Sequence, residues 1–389
     1  MDELRYETIS TEAGFRALGG WWDRLVRSMP RPSPFLLHCW LLEWWRHYGD
    51  GCRLVVEAAY RGPLLIAALP LIVHRRGGLE VATFLGGRQS VLADVLLGEG
   101  ENPAVATELV RRAVSGQDYV DVFGLPRGSL LAGAVRRPRL YLFERIEAPV
   151  LDLSADWEAV YRRKTNTKKR SLHARRRRQL ASLGKIDVAV ARSKAELQPA
   201  LEHAFRLHAL RWEGRPDGSG FVTPTGLRFH RAVMPALAKL DVARIVSLQL
   251  DGRPIAFLYY FALAGRAYLH RIAFDPAFAR YSPGLVNMLD AIEVAAGEGL
   301  ARVEFLGGAE RYKREFADRR EPLHLGIGLA GSPAGRAVVA ARVGWLTARE
   351  NLRRRRTARR LYDGLAPARR RLARRRDVLR ASGVRAAGP

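Results

Sequence analysis

One sequence pattern occurs twice along this chain, as Gly116-Gln-Asp-Tyr-Val-Asp-Val-Phe-Gly124 and as Gly299-Leu-Ala-Arg-Val-Glu-Phe-Leu-Gly307. Each copy is an apolar strand that carries one acid at the same position, Asp121 or Glu304, and ends on glycine. A repeated unit of this kind is the sequence signature of an internal duplication. Two unrelated α/β domains would share a similar rhythm, but the equal glycine-to-glycine spacing favours duplication.

The segments before each copy repeat as well. A stretch with helical patterning precedes each strand, Pro103 to Val114 in the first case and Pro283 to Gly297 in the second. Further upstream, apolar runs flank the turns Arg61-Gly-Pro and Asp251-Gly-Arg-Pro, and turn residues between β-rich runs predict hairpins. Both halves are therefore predicted to follow the order helix, hairpin, strand, helix, strand, which is an α/β fold class.

A chain of 389 residues exceeds one typical domain, so we expect two domains and a tail. The predicted ranges are 1–150, 151–329 and 330–389. The last 59 residues carry 17 Arg and three acids, and their leucines fall at helical spacing. This predicts basic amphipathic helices that contact membrane, nucleic acid or the protein itself. A simple solvated face explains the same charges.

The net charge of +26 comes mostly from arginine and is concentrated in the tail and in the block Arg162 to Arg178. These two patches make a polyanion or an anionic membrane surface a candidate partner. No apolar run is long enough to span a bilayer, and the N-terminus lacks a signal-peptide pattern. Cys39 and Cys52 match no disulfide framework or metal spacing, so we expect a cytoplasmic protein without a metal. Peripheral contact with the inner membrane through the tail stays open.

The first candidate site is the start of the helix after Arg280. Ser282 is suited to the N-cap and Pro283 to the first helical position. The next N–H groups, on Gly284 and Leu285, would face a phosphate or carboxylate, and Arg280 adds a positive charge. Ordinary helix capping explains the same residues without a ligand.

The second candidate is the loop from Gly307 to Phe316, which follows the second copy of the repeated strand. Strand ends in α/β folds commonly border ligand crevices. Glu310, Tyr312 and Lys313 supply a base, a proton donor and a cation, which acyl transfer to an amine would use. A polar loop that leads into a surface helix is the alternative.

Further residues are candidates for contact with an acceptor: Asp94, His208, Arg211, Trp212 and Arg271. Packing in the core is the plainer explanation for Trp212, and a turn-end carboxylate is the plainer one for Asp94. Because His270 and Arg271 are adjacent on a predicted strand, regular alternation lets only one of them face a cleft.

Residues 157–317 resemble the CelD-type acetyltransferase domain of the GNAT superfamily, which is related to the FemAB peptidyl transferases. The features that carry the resemblance are the basic helix Arg162 to Gln179, His208-Ala-Leu-Arg-Trp212, Asp251-Gly-Arg-Pro-Ile-Ala256, Phe274-Asp-Pro276, Ser282-Pro-Gly284 and Gly307-Gly-Ala-Glu-Arg-Tyr-Lys313. The N-terminal half matches more faintly, through Pro34-Phe-Leu, Trp44-Trp45, Leu69-Pro-Leu71 and Gly86 to Asp94.

This resemblance implies tandem GNAT-like domains, each a mixed and mostly antiparallel sheet flanked by helices, followed by the basic helical tail. It implies an acyl-CoA donor, such as acetyl-CoA, and a small-molecule, sugar or peptide acceptor in polysaccharide or cell-envelope synthesis. Glu310 would act as base, Tyr312 would protonate the departing thiolate, and Lys313 would stabilise the oxyanion. Arg280, Ser282, Gly284 and Leu285 would bind the donor.

One departure from the family pattern leaves the donor open. GNAT enzymes usually bind the CoA pyrophosphate with a loop of pattern Arg/Gln-x-x-Gly-x-Gly/Ala, whereas this chain has Arg280-Tyr-Ser-Pro-Gly-Leu-Val286. Pro283 offers no N–H to a pyrophosphate. An aminoacyl-tRNA donor, as in FemAB-like relatives, is the second hypothesis, and the basic block Arg162 to Arg178 would suit it. The third is a non-catalytic protein that binds polyanion or membrane.

Overall fold

The computed structural model describes residues 3–134, 139–153, 156–213, 220–307 and 311–354. Within these ranges the strands form two mixed sheets, each flanked by helices. The predicted α/β architecture is therefore confirmed. No helix in the described part of the chain is long and apolar enough to cross a membrane.

The elements that precede the junction between the halves are, in chain order, β1 (Leu4–Ile9), α1 (Glu12–Ala17), α2 (Gly19–Ser28), α3 (His38–Tyr48), β2 (Cys52–Arg61), β3 (Leu64–Arg76), β4 (Leu79–Phe84), β5 (Leu96–Leu97), α4 (Pro103–Val114), β6 (Tyr119–Pro126), α5 (Leu130–Ala134) and β7 (Leu140–Ile146). Short 3₁₀ turns lie at Pro34–Leu36, Gly87–Gln89 and Pro276–Tyr281.

The remaining elements are β8 (Pro149–Asp152), α6 (Trp157–Lys164), α7 (Thr167–Ala181), β9 (Ile186–Ala191), α8 (Lys194–Trp212), α9 (Pro224–Lys239), β10 (Ala243–Leu250), β11 (Arg253–Leu263), β12 (Arg266–Phe274), α10 (Pro283–Gly297), β13 (Arg302–Glu304), α11 (Arg311–Phe316), β14 (Arg319–Arg320), β15 (Leu323–Gly328) and α12 (Pro333–Arg354).

The two sheets repeat one pairing scheme. In the first, β2, β3 and β4 pair antiparallel in sequence order, and β4 then pairs with β6 in parallel. In the second, β10, β11 and β12 pair antiparallel, and β12 pairs with β13 in parallel. The Asp251-Gly252 turn has positive φ at both residues, as a two-residue hairpin turn between right-twisted strands requires. The predicted repeat is thus present in the strand pairing.

The halves exchange strands near their junction. β15 lies in sequence within the predicted range 151–329, yet it pairs with β6 and β7 in the first sheet. β8, which directly follows the first sheet in sequence, pairs with β13 and β14 in the second. A shared aromatic core joins them further, since the Trp40 ring lies edge-on to Phe229, with centroids 4.8 Å apart. The two halves are therefore interlocked by backbone pairing and by packing.

The acid of each repeated strand binds two arginines. The Asp121 carboxylate forms ion pairs with Arg76 at 2.7 Å and with Arg342, from α12, at 2.9 Å. The Glu304 carboxylate forms ion pairs with Arg31 and Arg266, each at 2.7 Å. Glu304 is fully buried, and Arg31 comes from the segment after α2, so this carboxylate joins the first half to the second sheet.

Helix α12 covers the first sheet. Val339 and Leu346 pack there in a cluster with Tyr119, Phe143 and Ile327. The start of the predicted basic tail is therefore helical and belongs to the folded body. Residues 355–389, which include the leucines predicted to line the tail helices, lie outside the described residues.

Candidate functional site

β12 and β13 are parallel and pair from Arg266 opposite Arg302 to Tyr268 opposite Glu304, where β13 ends and β12 continues. Beyond Glu304 the chain no longer pairs with β12, and the Phe305 N–H donates instead to the carbonyl oxygen of Pro149 on β8. A cavity of about 150 Å³ occupies the gap, and we call it the strand-gap cavity. Leu306, where the chain turns away from β12, has a positive φ of 52°. Non-glycine residues rarely adopt this conformation, and it is found preferentially at functional sites.

The strand-gap cavity is lined from both halves of the molecule. Its lining residues are Val91, Leu258, Leu269, His270, Arg271, Ile272, Leu306, Gly307, Tyr312 and Lys313. β12 contains a bulge here, because Tyr259 pairs with Arg271 and Tyr260 pairs with Leu269. The bulge interrupts the alternation of side chains. His270 and Arg271 consequently both line the cavity, and the expectation that only one of them faces it is wrong.

Two buried histidines lie at this bulge. The rings of His230 and His270 have centroids 5.6 Å apart, and both pack against Trp40. Among the described residues, His230 Nδ1, His270 Nε2 and the Tyr259 hydroxyl have no hydrogen-bond partner. Burial holds the pKa of each imidazole well below its ordinary value, and the positive charge of Arg271 acts in the same direction. Both rings are therefore neutral near pH 7, and His270 lines the cavity in this neutral form.

Because of these two histidines, we expect the folded protein to lose stability on mild acidification. Their pKa values are lower in the folded chain than in the unfolded one, so the unfolded chain takes up protons first as the pH falls. Stability should be fully present above about pH 6.5 and decrease below it, by up to about 1.4 kcal/mol per pH unit for each histidine. Urea unfolding between pH 7.5 and 5 measures this slope. His230→Phe should reduce the slope, whereas replacement of the exposed His203 by Gln should leave it unchanged.

Tyr312 and Lys313 stand on the short helix α11 at the mouth of the strand-gap cavity. Lys313 is buried, with 7% of its surface exposed, and its Nζ donates a hydrogen bond to the carbonyl oxygen of Gly307. This bond holds the ammonium group at the point where the chain leaves β13. Glu310, the third residue of the predicted catalytic set, lies outside the described residues.

The predicted donor-binding residues lie at the start of α10. Ser282 takes the N-cap position in a left-handed conformation and makes no side-chain capping bond. The Leu285 N–H donates to the Ser282 carbonyl at 3.0 Å, whereas the Gly284 N–H has no acceptor among the described residues. This helix start therefore offers a ligand fewer N–H groups than a regular one does.

Gly284 also has a packing role, because a Cβ at this position would lie 2.8 Å from Cδ1 of Phe274. Gly284→Ala should displace the Phe274 ring and lower the free energy of unfolding by about 1–3 kcal/mol. Gly297→Ala, in the last turn of the same helix, is the matched control, since its Cβ would meet nothing within 4 Å. Chemical denaturation of both variants compares them. An equal effect at the two positions would contradict this account of Gly284.

The basic helix α7 lies beside this helix start. Arg176 donates a hydrogen bond to the carbonyl oxygen of Arg280, and Arg177 binds Asp290 of α10 at 2.6 Å. The exposed Arg280 guanidinium stacks on Tyr281, 4.6 Å from the ring centroid. Arginine side chains therefore lie beside the start of α10, where few backbone N–H groups are available to a ligand.

The predicted acceptor residues occupy three places. His208 is buried near His230, against Phe221, and its ring centroid lies 6.0 Å from that of the partly exposed Trp212. Arg211 stacks over Phe274, 4.9 Å from the ring centroid. Asp94 lies elsewhere, where its carboxylate accepts hydrogen bonds from the Ser129 hydroxyl and backbone N–H groups at the start of α5. Only Arg271 of this set lines the strand-gap cavity.

Sequence reasoning missed His230 and Val91. His230 sits within an ordinary helical pattern on α9, and only tertiary packing brings it against His270. Val91 reaches the cavity from the first half, after the 3₁₀ turn at Gly87–Gln89. The faint N-terminal resemblance over Gly86 to Asp94 was the one signal that pointed to this segment.

Part of the chain is similar to a known protein family. Residues 167–314 match the acetyltransferase (GNAT) domain family. No curated protein matches the chain. The matched segment contains β12, the α10 start and β13, and therefore most of the strand-gap cavity.

Solved structures resemble nearly the whole chain. One is the C-terminal DUF2156 domain of a proposed lysylphosphatidylglycerol synthetase from Agrobacterium fabrum, at 13% identity, over 86% of this chain and 97% of that one, with a TM-score of 0.51. A protein of unknown function from Bacteroides thetaiotaomicron matches at 13% identity over 84% and 100%, with a TM-score of 0.54. FemX matches at 10% identity over 82% and 96%, with a TM-score of 0.53. At these identities the likeness is one of fold, and it includes both halves.

Proposed function

We propose that this protein transfers an acyl group from an acyl-CoA donor to an amine or hydroxyl acceptor in the strand-gap cavity. The observation that carries the proposal is the cavity between β12 and the chain that follows β13, which is lined by His270, Tyr312 and Lys313. The GNAT match over residues 167–314 supports it. Residues 151–329 would supply most of the chemistry, and residues 1–150 would close the cavity through Val91.

The reaction would proceed by direct attack on the thioester. The acceptor nitrogen or oxygen bonds to the thioester carbon and gives its proton to a base, for which Glu310 and the neutral His270 imidazole are the candidates. Lys313 stabilises the negative charge on the carbonyl oxygen of the tetrahedral intermediate. The carbon–sulfur bond then breaks, and Tyr312 protonates the departing thiolate. Proton exchange with solvent restores both groups.

Arginines would hold the phosphates of the donor more than backbone N–H groups do. Within the described ranges the Gly284 N–H has no acceptor, the Leu285 N–H is used by the Ser282 carbonyl, and Arg176 and Arg280 lie beside them. Arg280→Ala should therefore raise KM for acetyl-CoA about 10-fold and leave kcat nearly unchanged. Arg75→Ala, at an exposed site on β3, is the matched control. A lower kcat with an unchanged KM would contradict this role.

An aminoacyl-tRNA donor is the second candidate. The observation that favours it is the exposed basic face of α7, together with a fold that FemX shares. Titration of the pure protein with acetyl-CoA and with charged tRNA separates the candidates. Acetyl-CoA binding that survives moderate salt supports the first, because tRNA binding weakens steeply as salt rises. Saturable transfer from charged tRNA alone would overturn the acyl-CoA proposal.

The acceptor is proposed to be a small molecule, a sugar or a peptide, and the CelD-type resemblance favours polysaccharide or cell-envelope synthesis in the cytoplasm. Contact of the basic tail with an anionic membrane or another polyanion remains part of the proposal. Deletion of residues 355–389 tests that contact. A deletion from residue 331 would also remove α12 from the first sheet, so a loss of binding could not be distinguished from a loss of stability.

A further inference from the structure

A larger cavity, of about 1030 Å³, lies between the two halves, and we call it the interdomain cleft. Its walls include the end of α2, the segment before α4, the end of β6 and the first residues of β12 and β13. Tyr268 and Glu304, both fully buried, lie on those two strands between the interdomain cleft and the strand-gap cavity. The cleft is large enough for a small organic ligand.

Most carboxylates that line the interdomain cleft already have partners. Asp94 accepts hydrogen bonds from a hydroxyl and from backbone N–H groups at the start of α5. Glu101 binds Arg61 at 2.7 Å, and Glu321 binds Arg319 at 2.8 Å. Within the described part of the chain, Glu99 is the cleft carboxylate that has neither an ion pair nor a side-chain hydrogen bond.

The cations that line the cleft outnumber these acids. Arg31 and Arg266 are held by the buried Glu304. Arg27, Arg127 and Arg320 are exposed and make no ion pair within 4.0 Å among the described residues. They come from three separate elements, two in the first half and one in the second. Three guanidinium groups that share a concave site with one unpaired acid create a positive potential, which the low-dielectric walls strengthen.

We infer that the interdomain cleft binds a phosphorylated small molecule through Arg27, Arg127 and Arg320. Guanidinium groups match phosphate oxygens in geometry and charge. A phosphate monoester carries nearly two negative charges, whereas a carboxylate carries one, so phosphate better neutralises three arginines. Such a ligand would contact both halves and stabilise their association. This inference goes beyond the proposed transfer reaction and does not depend on it.

Calorimetric titration of the full-length protein with inorganic pyrophosphate tests the inference. We expect saturable binding that weakens as sodium chloride is raised. A triple variant with Arg27, Arg127 and Arg320 replaced by Ser should bind at least ~30-fold more weakly. Glu99→Gln should bind about 2- to 5-fold more tightly, because it removes the unpaired negative charge. Bound pyrophosphate should also raise the unfolding midpoint of the wild type.

The control is a triple variant with Arg75, Arg88 and Arg336 replaced by Ser, which loses the same charge at exposed sites outside the cleft. It should retain wild-type affinity. Equal weakening in the two triple variants, or an absence of saturable binding to the wild type, would overturn the inference. Tighter binding of citrate than of pyrophosphate would overturn the assignment to phosphate.

Discussion

Replacement of Lys313 by alanine is expected to lower kcat/KM for acyl transfer at least ~10²-fold. Lys313 is 7% exposed and lines the strand-gap cavity, and its ammonium group donates to the Gly307 carbonyl oxygen. An oxyanion that forms there would lose a charged donor in a site from which water is largely excluded, and such donors contribute about 3–4 kcal/mol to the transition state. Steady-state kinetics with acetyl-CoA and an active acceptor measure the loss.

Two companion variants separate charge from packing. Lys313→Met keeps most of the aliphatic stem and removes the ammonium group, so it should be as inactive as Lys313→Ala while unfolding at nearly the wild-type midpoint. Lys239→Met, at an exposed position on α9, should be fully active. Wild-type turnover by Lys313→Met would remove Lys313 from the proposed mechanism. Glu310→Ala, tested alongside, should also lower turnover at least ~10²-fold.

Replacement of Glu304 by glutamine is expected to lower the free energy of unfolding by about 3 kcal/mol. The carboxylate is 0% exposed and neutralises Arg31 and Arg266, whose side chains are only 10% and 11% exposed. Glutamine leaves the two guanidinium groups without their shared counter-charge, and removal of one partner from a buried ion pair costs about 3–5 kcal/mol. The lower end applies because both arginines reach the interdomain cleft. Urea unfolding at pH 7.5 measures the change.

Asp121→Asn is the matched control, since Asp121 occupies the same position in the first copy of the repeated strand. Its partners Arg76 and Arg342 are 46% and 33% exposed, so solvent screens these pairs more strongly. We expect a loss of about 1 kcal/mol or less. If the two variants lost equal stability, burial would not explain the difference between the repeated acids.

Local patterning predicted much of the fold. The Asp251-Gly252 pair, the apolar runs beside it and the helical patterning of α4 and α10 each act within a few residues, so they can be read without tertiary structure. The exchange of β8 and β15 between the sheets could not be read in this way. Whether an apolar run such as Leu323 to Gly328 pairs with one sheet or the other depends on distant edges.

The sequence likewise predicted some residues of the candidate site, whereas others could be recognised only from the tertiary structure. The sequence placed Tyr312 and Lys313 beside a strand end and Gly284 at a helix start, because those positions follow from chain order. Recognition of His270 required the bulge opposite Tyr259 and Tyr260, and a bulge is a property of two paired strands. Its partner His230 comes from a helix 40 residues earlier in the chain, which no local pattern links to it.

By itself, then, the sequence determined that one unit occurs twice, and that each copy carries an acid between apolar residues and ends on glycine. It could not distinguish Asp121 from Glu304. Tertiary structure decided that one acid lies beside solvent-exposed arginines and that the other is buried between the halves. The physical reason is that spacing along a strand fixes which face a side chain takes. Burial, counter-charges and pKa depend on elements that arrive from elsewhere in the chain.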